Sequence, residues 1–88
     1  MSPFFVTYIV KRRSGDIAVG ITASKKVGGA VQRNRARRVV KAALMQVLEG
    51  KTGTYDLVVV CRKAILEKKS TEIAPILRAH LRKAGVLN

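Results

Sequence analysis

The sequence predicts an α+β fold of two layers, a sheet with helices on its apolar face, in the order β-β-α-β-α. Three patterns carry this expectation. Asp16–Ser24 alternates with a period of two, the stretch from about Ala30 to Leu48 repeats with the period of a helix, and Asp56–Cys61 is an almost unbroken apolar run. With 88 residues the chain suits one compact domain spanning 1–88.

Phe4–Val10 is rich in aromatic and β-branched residues and reads as the first strand. Lys11–Gly15 is basic and ends in Ser-Gly, a turn signal. In the next strand Ile17, Val19 and Ile21 point one way and Ala18, Gly20, Thr22 and Ser24 the other. The two strands are therefore expected to form a hairpin with one apolar and one small or polar face. Lys25–Gly29 is a basic, glycine-containing loop. After it Ala36, Val39, Val40, Ala43, Leu44, Val47 and Leu48 follow helical spacing, with Gly50 as the stop and Lys51–Thr54 as a loop. Asp56–Cys61 is expected inside the sheet, and Arg62–Lys69 is a basic connection. The last helix runs from about Ser70 to Ala84. Ser70 or Thr71 is available as its cap, Glu72 suits its first turn, and Gly85 ends it. Pro75 is tolerable only near its start, and Ile73, Ile76, Leu77, Leu81 and Ala84 make its apolar stripe.

Charge is the unusual property. Eighteen Lys and Arg face five Asp and Glu, a formal net charge of +13. A small domain with that much like charge repels itself, so a polyanionic partner is expected, nucleic acid before an anionic membrane surface. The longest apolar stretches fall far short of the roughly 20 residues that span a bilayer, and Met1–Val10 lacks the basic start and cleavage site of a secretory signal. Cys61 is the single cysteine, which excludes an intrachain disulfide and fits a reducing, cytoplasmic setting; it reads as a small core residue.

The segment Ser24–Lys41 is the most informative. On a helix at about 100° per residue, Arg37, Arg38 and Lys41 fall within roughly 60° of Asn34, and Arg33 and Arg35 flank that face. The apolar set lies opposite. Like charges one turn apart cost an isolated helix roughly 0.2–0.5 kcal/mol per pair, and solvation alone would favour interspersed Glu. Arg33–Lys41 contains none, so a phosphate-binding ridge is expected over a merely solvated face. Asn34 fits either an RNA contact or a helix-start cap. Lys25 and Lys26 precede Gly28 and Gly29, whose amides can cradle a phosphate, but the spacing matches neither nucleotide-binding glycine motif.

Phe4, Val6 and Tyr8 alternate onto one face of the first strand. If that face continues through Thr22 and Ser24, it makes a groove with an aromatic floor, suited to stacking on an extended single strand. Filling the core is the equal alternative. The acids Asp16, Glu49, Asp56, Glu67 and Glu72 are scattered, and His80 reads as a surface residue. No catalytic or metal-binding residue is expected in the chain, because metal-dependent phosphodiester cleavage needs clustered carboxylates.

A strand ending in Ser24-Lys25-Lys26, then Val27-Gly28, and Arg33-Asn34-Arg35 opening an amphipathic helix resemble the bacterial ribonuclease P protein component. The likeness extends from Phe5-Val6-x-Tyr8 through Asp56–Arg62 into the last helix. It implies the ribosomal S5 domain 2-like fold with a left-handed β-α-β crossover, against the usual right-handed rule. It also implies a non-catalytic protein subunit of an RNA-based endoribonuclease. The partners would be the catalytic ribonuclease P RNA, which uses magnesium, and precursor tRNA, whose 5′ leader is removed; the protein itself would hold no cofactor. By position, Val6 and Tyr8 would line the leader cleft, and Arg33, Asn34, Arg35, Arg37, Arg38 and Lys41 would meet RNA.

The likeness has two departures. Arg37-Arg38 stands where many relatives carry a lysine first. Relatives also begin with a helix, whereas Met1-Ser2-Pro3 leads straight into the strand, so the exposed face around Phe4, Phe5 and Tyr8 is expected to favour self-association. A ribosomal or other non-catalytic RNA-binding protein fits size and charge equally well. A DNA-binding helix fits less well, since the ridge has few small base-reading side chains.

Overall fold

The computed structural model describes residues 3–86; the Met1-Ser2 start and the last two residues lie outside them. Three strands, β1 (Phe5–Lys11), β2 (Ala18–Thr22) and β3 (Tyr55–Cys61), form one sheet in the order β1-β3-β2. Two helices accompany it, α1 (Ala30–Leu48) between β2 and β3, and α2 (Ser70–Lys83) after β3. The α+β class and the element order agree with expectation.

The expected hairpin is absent. β1 pairs antiparallel with β3 from Phe5↔Cys61 to Lys11↔Tyr55, and β2 pairs parallel with β3 from Ala18↔Asp56 to Thr22↔Val60. Alternation in a sequence reports which face a side chain takes, not which strand lies beside it. The connection 12–17 passes the end of β3, a span of about two 4.8 Å strand spacings. Arg12 anchors it: Nε meets Asp56 Oδ1 at 3.2 Å, Nη2 donates to the Asp16 carbonyl, and the Arg12 N–H donates to the Thr54 carbonyl at 2.7 Å. The Thr54 hydroxyl returns a bond to the Arg12 carbonyl at 2.9 Å. Gly15, at φ 106°, supplies the positive dihedral this turn requires.

Register divides the sheet cleanly. Phe5, Leu57, Val59 and Cys61 face the helices and are buried with Ala36, Val40, Ala43, Leu44 and Val47 of α1 and Ile73, Ala74, Leu77 and Leu81 of α2. Val6, Tyr8, Val10, Val58, Val60, Gly20 and Thr22 face the other way, where no helix lies among the described residues. β3 is central, as its apolar composition predicts, yet only one of its faces is covered. Burial pushes the Cys61 thiol up to about 11, against the lowering influence of Arg37.

The basic connection 62–69 contains a 3₁₀ helix, Lys63–Glu67, that buries Ile65. Its apolar residues, Ala64, Ile65 and Leu66, are consecutive, and so short a run among charges gives no periodicity to reveal it. Neither Ser70 nor Thr71 caps α2. Lys69 is the cap residue, its N–H donating to Glu72 Oε1 at 3.1 Å, and this bond holds the Glu72 carboxyl below its usual range with help from Lys68. Pro75 lies in the second turn, deeper than expected, on the exposed side of the helix. The helix ends as expected at Gly85: its N–H bonds the Arg82 carbonyl at 3.0 Å and the Val86 N–H bonds the Leu81 carbonyl at 3.1 Å. That is a Schellman ending, with Gly85 at φ 81°.

His80 is half-buried rather than a free surface residue, its ring 5.1 Å from that of Phe5. Burial lowers its pKa from 6.5, and neighbouring positive charge, Lys83 included, lowers it further. The neutral ring's contribution to stability is thus fully present above the unfolded value and is lost as pH falls through and below 6.5. Glu72 titrates in a lower window, below 4.5. Denaturation midpoints should therefore drop between pH 7 and 5, and His80→Phe should flatten that slope. In the core, Leu57→Ala should cost about 2–5 kcal/mol, whereas Val58→Ala, one residue along on the open face, should cost about 1 kcal/mol or less in chemical denaturation.

Candidate nucleic-acid interface

The turn between β2 and α1 is built by its own chain. Ala23 and Val27 are buried and pin it to the core. Between them the Val27 N–H donates to the Ser24 carbonyl at 3.0 Å, and the Lys26 N–H donates to Ser24 Oγ at 3.3 Å. Lys25 and Lys26 are left projecting into solvent. Gly28 has φ 147°, and a Cβ there would sit 2.9 Å from Gln32 Cβ, so the backbone passes close under the first helical turn. Gly29 is the helix N-cap, and no side chain caps it. The first turn of α1 holds no acid, so its positive end is uncompensated locally.

Asn34 is the fifth residue of α1, which excludes the helix-start cap. Instead its Oδ1 accepts a hydrogen bond from Arg37 Nη1 at 3.1 Å, which orients the guanidinium and leaves the amide N–H₂ outward. Asn34, Arg35, Arg37, Arg38 and Lys41 are exposed, opposite the buried Ala36, Val40, Ala43 and Val47. Arg33 differs from the others. It is half-buried, and its Nε is shielded from solvent with no hydrogen-bond partner among the described residues. The result is a helix whose outward face is cationic from Arg33 to Lys41, about two and a half turns, without an intervening carboxylate.

Of the residues read as a cleft, Val6 and Thr22 both pair with Val60, and Tyr8 pairs with Val58, so all three share the open face. Tyr8 is 58% exposed and does not fill the core. Phe4 precedes β1 and is half-buried against the core, with the Lys68 ammonium 5.5 Å from its ring centre. Ser24 lies beyond β2, its hydroxyl engaged in the turn. Phe5, expected near an exposed edge, is fully buried. Sequence reasoning missed Val10, Val58 and Val60 as members of the open face; the alternation of β3 carries that signal, hidden because both of its faces are apolar. β2 ends at Thr22 and α1 begins at Ala30, so α1 starts from the Thr22 end of the sheet, separated from it by the turn 23–29.

The chain matches the Ribonuclease P family over residues 1–85. It is 36% identical over 87 residues to a ribonuclease P protein component of Chloroflexus aurantiacus, covering 98% of this chain and 64% of that one. It is 39% identical over 85 residues to one of Clostridium botulinum, covering 94% and 76%. The structure of a Staphylococcus aureus RNase P protein superposes with a TM-score of 0.79 at 28% identity, over all of this chain and 81% of that one. The RNase P protein of Thermotoga maritima shares the fold, with a TM-score of 0.78 at 23% identity. The chain thus spans about two thirds to four fifths of the length of these relatives. With a mixed three-stranded sheet, an arginine-lined helix and a family match over nearly every residue, this chain belongs to the ribonuclease P protein family.

Proposed function

We propose that the chain acts as the non-catalytic protein subunit of ribonuclease P, assisting a catalytic RNA in removing the 5′ leader from precursor tRNA. The observation that carries this reading is the junction at the end of the sheet. There, in a family member, an open apolar strip bearing Tyr8 is joined through the Lys25-Lys26 turn to a helix bearing Arg33, Asn34, Arg35, Arg37, Arg38 and Lys41. The two surfaces have complementary chemistry. Tyr8 offers a face on which a base stacks, worth about 1–3 kcal/mol, while Val6 and Thr22 pave the floor beside it. The arginine forks and the Lys25-Lys26 turn supply phosphate contacts. Phe4 and Ser24 border the strip.

In this reading the protein contributes binding and orientation. Phosphodiester hydrolysis belongs to the RNA partner and to magnesium held by that RNA. By neutralising phosphates where leader and RNA converge, the cationic face lowers the repulsion that magnesium would otherwise have to screen, so its effect is largest at low magnesium. The reading places the protein in the cytoplasm with its RNA. No helix among the described residues is long and apolar enough to cross a membrane.

Cleavage of precursor tRNA by a bacterial ribonuclease P RNA at low magnesium, with and without the chain, tests the proposal. Stimulation that is lost with Arg35→Ala is the expected result; neither RNA binding nor stimulation would overturn it. Binding should also weaken with salt. If about six phosphates are neutralised, log affinity falls against log salt with a slope of roughly −4 to −5, and a slope near zero would contradict the electrostatic reading. Arg35→Ala and Arg38→Ala should each reduce that slope by about one. Both residues are exposed, so stability should stay within about 0.5 kcal/mol.

A further inference from the structure

The helix layer stops short of β2. Val19 and Ile21 take the same face as the buried Leu57 and Val59, yet Val19 is 44% exposed and Ile21 only half-buried. Beside them α1 presents Met45, 67% exposed, and the half-buried Leu48, with the buried Leu44 at the groove floor. Together they line an apolar groove of about 510 Å³ along the unpaired edge of the sheet. Its two charged lining residues are Lys41 and Glu49, four residues before Met45 and four after it.

That spacing is self-complementary. If a second α1 lies antiparallel across the first, with a two-fold axis at Met45, residue 41 of each helix meets residue 49 of the other. Lys41 then faces Glu49 twice, Met45 meets Met45, and Leu44, Leu48, Val19 and Ile21 close over the apolar centre. Glu49 fits such a role on local grounds also. It sits at the C-cap of α1, where the helix dipole disfavours an acid. Ion pairs among the described residues include Arg12–Asp56 and Lys68–Glu72, and Glu49 has no cation partner among the described residues.

We propose that this groove is a homodimerisation surface, occupied by the same groove of a second copy of the chain, with reciprocal Lys41–Glu49 pairs at its ends. The surface is distinct from the open face bearing Tyr8 but shares Lys41 with the cationic face of α1, so RNA would compete for that residue and the association is measured without it. Seven lining residues fall short of the roughly 20–30 a side of a stable interface, and two bodies of charge +13 repel, so the association is weak.

Sedimentation equilibrium of the full chain in about 0.15 M salt, free of RNA and taken to millimolar concentration, tests it. The mass should rise from 9.6 kDa toward twice that value. Lys41→Glu lowers the net charge by two and Glu49→Lys raises it by two, so general repulsion alone would tighten the first and loosen the second. Reciprocal pairing instead weakens both, by about tenfold each, and the double variant, which restores the net charge, recovers association to within about threefold. Met45→Lys, which sets two ammonium groups at the axis, should abolish dimers. These sites are exposed, and far-UV circular dichroism checks that each variant folds. A chain that stays monomeric throughout, or an association that ignores the reversals at 41 and 49 and the lysine at 45, would overturn the proposal. The second result would move self-association to another surface, such as the face bearing Tyr8.

Discussion

Leu57, Val59 and Cys61 project from β3 into the layer between sheet and helices, while Val58 and Val60, one residue out of step, project the other way. Everything else in the molecule is arranged around that division. Among the described residues β1 and β2 each have only β3 as a neighbour, so the register of both edges is set against one central strand. A slip of one residue would exchange the two faces of an edge strand and bury Tyr8 or expose Phe5. The helices fix the register from one side: α1 and α2 pack against each other and against the Phe5, Leu57 and Val59 face, and among the described residues no helix or strand packs on the opposite face.

Helix α1 carries two requirements at once. Its inward residues, Ala36, Val40, Ala43, Leu44 and Val47, are small to medium, which lets the helix sit close on the sheet. Outward, Arg35, Arg37, Arg38 and Lys41 repel one another, and no acid in the first turn relieves them. A helix in isolation would be weakened by that arrangement; here the buried stripe holds it in place. Core packing therefore supports a charge density that helix propensity would not. Asn34, bonding Arg37, shows the same economy on a smaller scale, since one polar side chain both orients a neighbour and keeps donors free.

The positive charges do not all serve one surface. Arg12 turns inward along its own loop, pairing with Asp56 and the Asp16 carbonyl, and so closes the long passage from β1 to β2. As an exposed pair it contributes at most about 1 kcal/mol, and its value lies in fixing the path of the loop. Lys68 is divided between Glu72 and the ring of Phe4. Net charge thus overstates the number of cations available to a polyanion.

By itself the sequence determined the element types and their order, the two faces of α1 and the glycine stop of α2. Each of these depends on contacts within a few residues, where period and capping chemistry are legible. The Arg33-Asn34-Arg35 run and its neighbours were legible for the same reason, and so was the family they mark. Only the tertiary structure decided that β3 separates β1 from β2, that Phe5 is buried while Tyr8 is exposed, that Asn34 bonds Arg37, and that Ile65 is buried within a short 3₁₀ turn. Phe5 and Tyr8 both belong to an aromatic, β-branched strand, and their difference in burial depends on which face two distant helices cover. Strand neighbours, likewise, are chosen by where the crossover helix can pack. Those are free energies of association between segments far apart in the chain, and no local pattern records them.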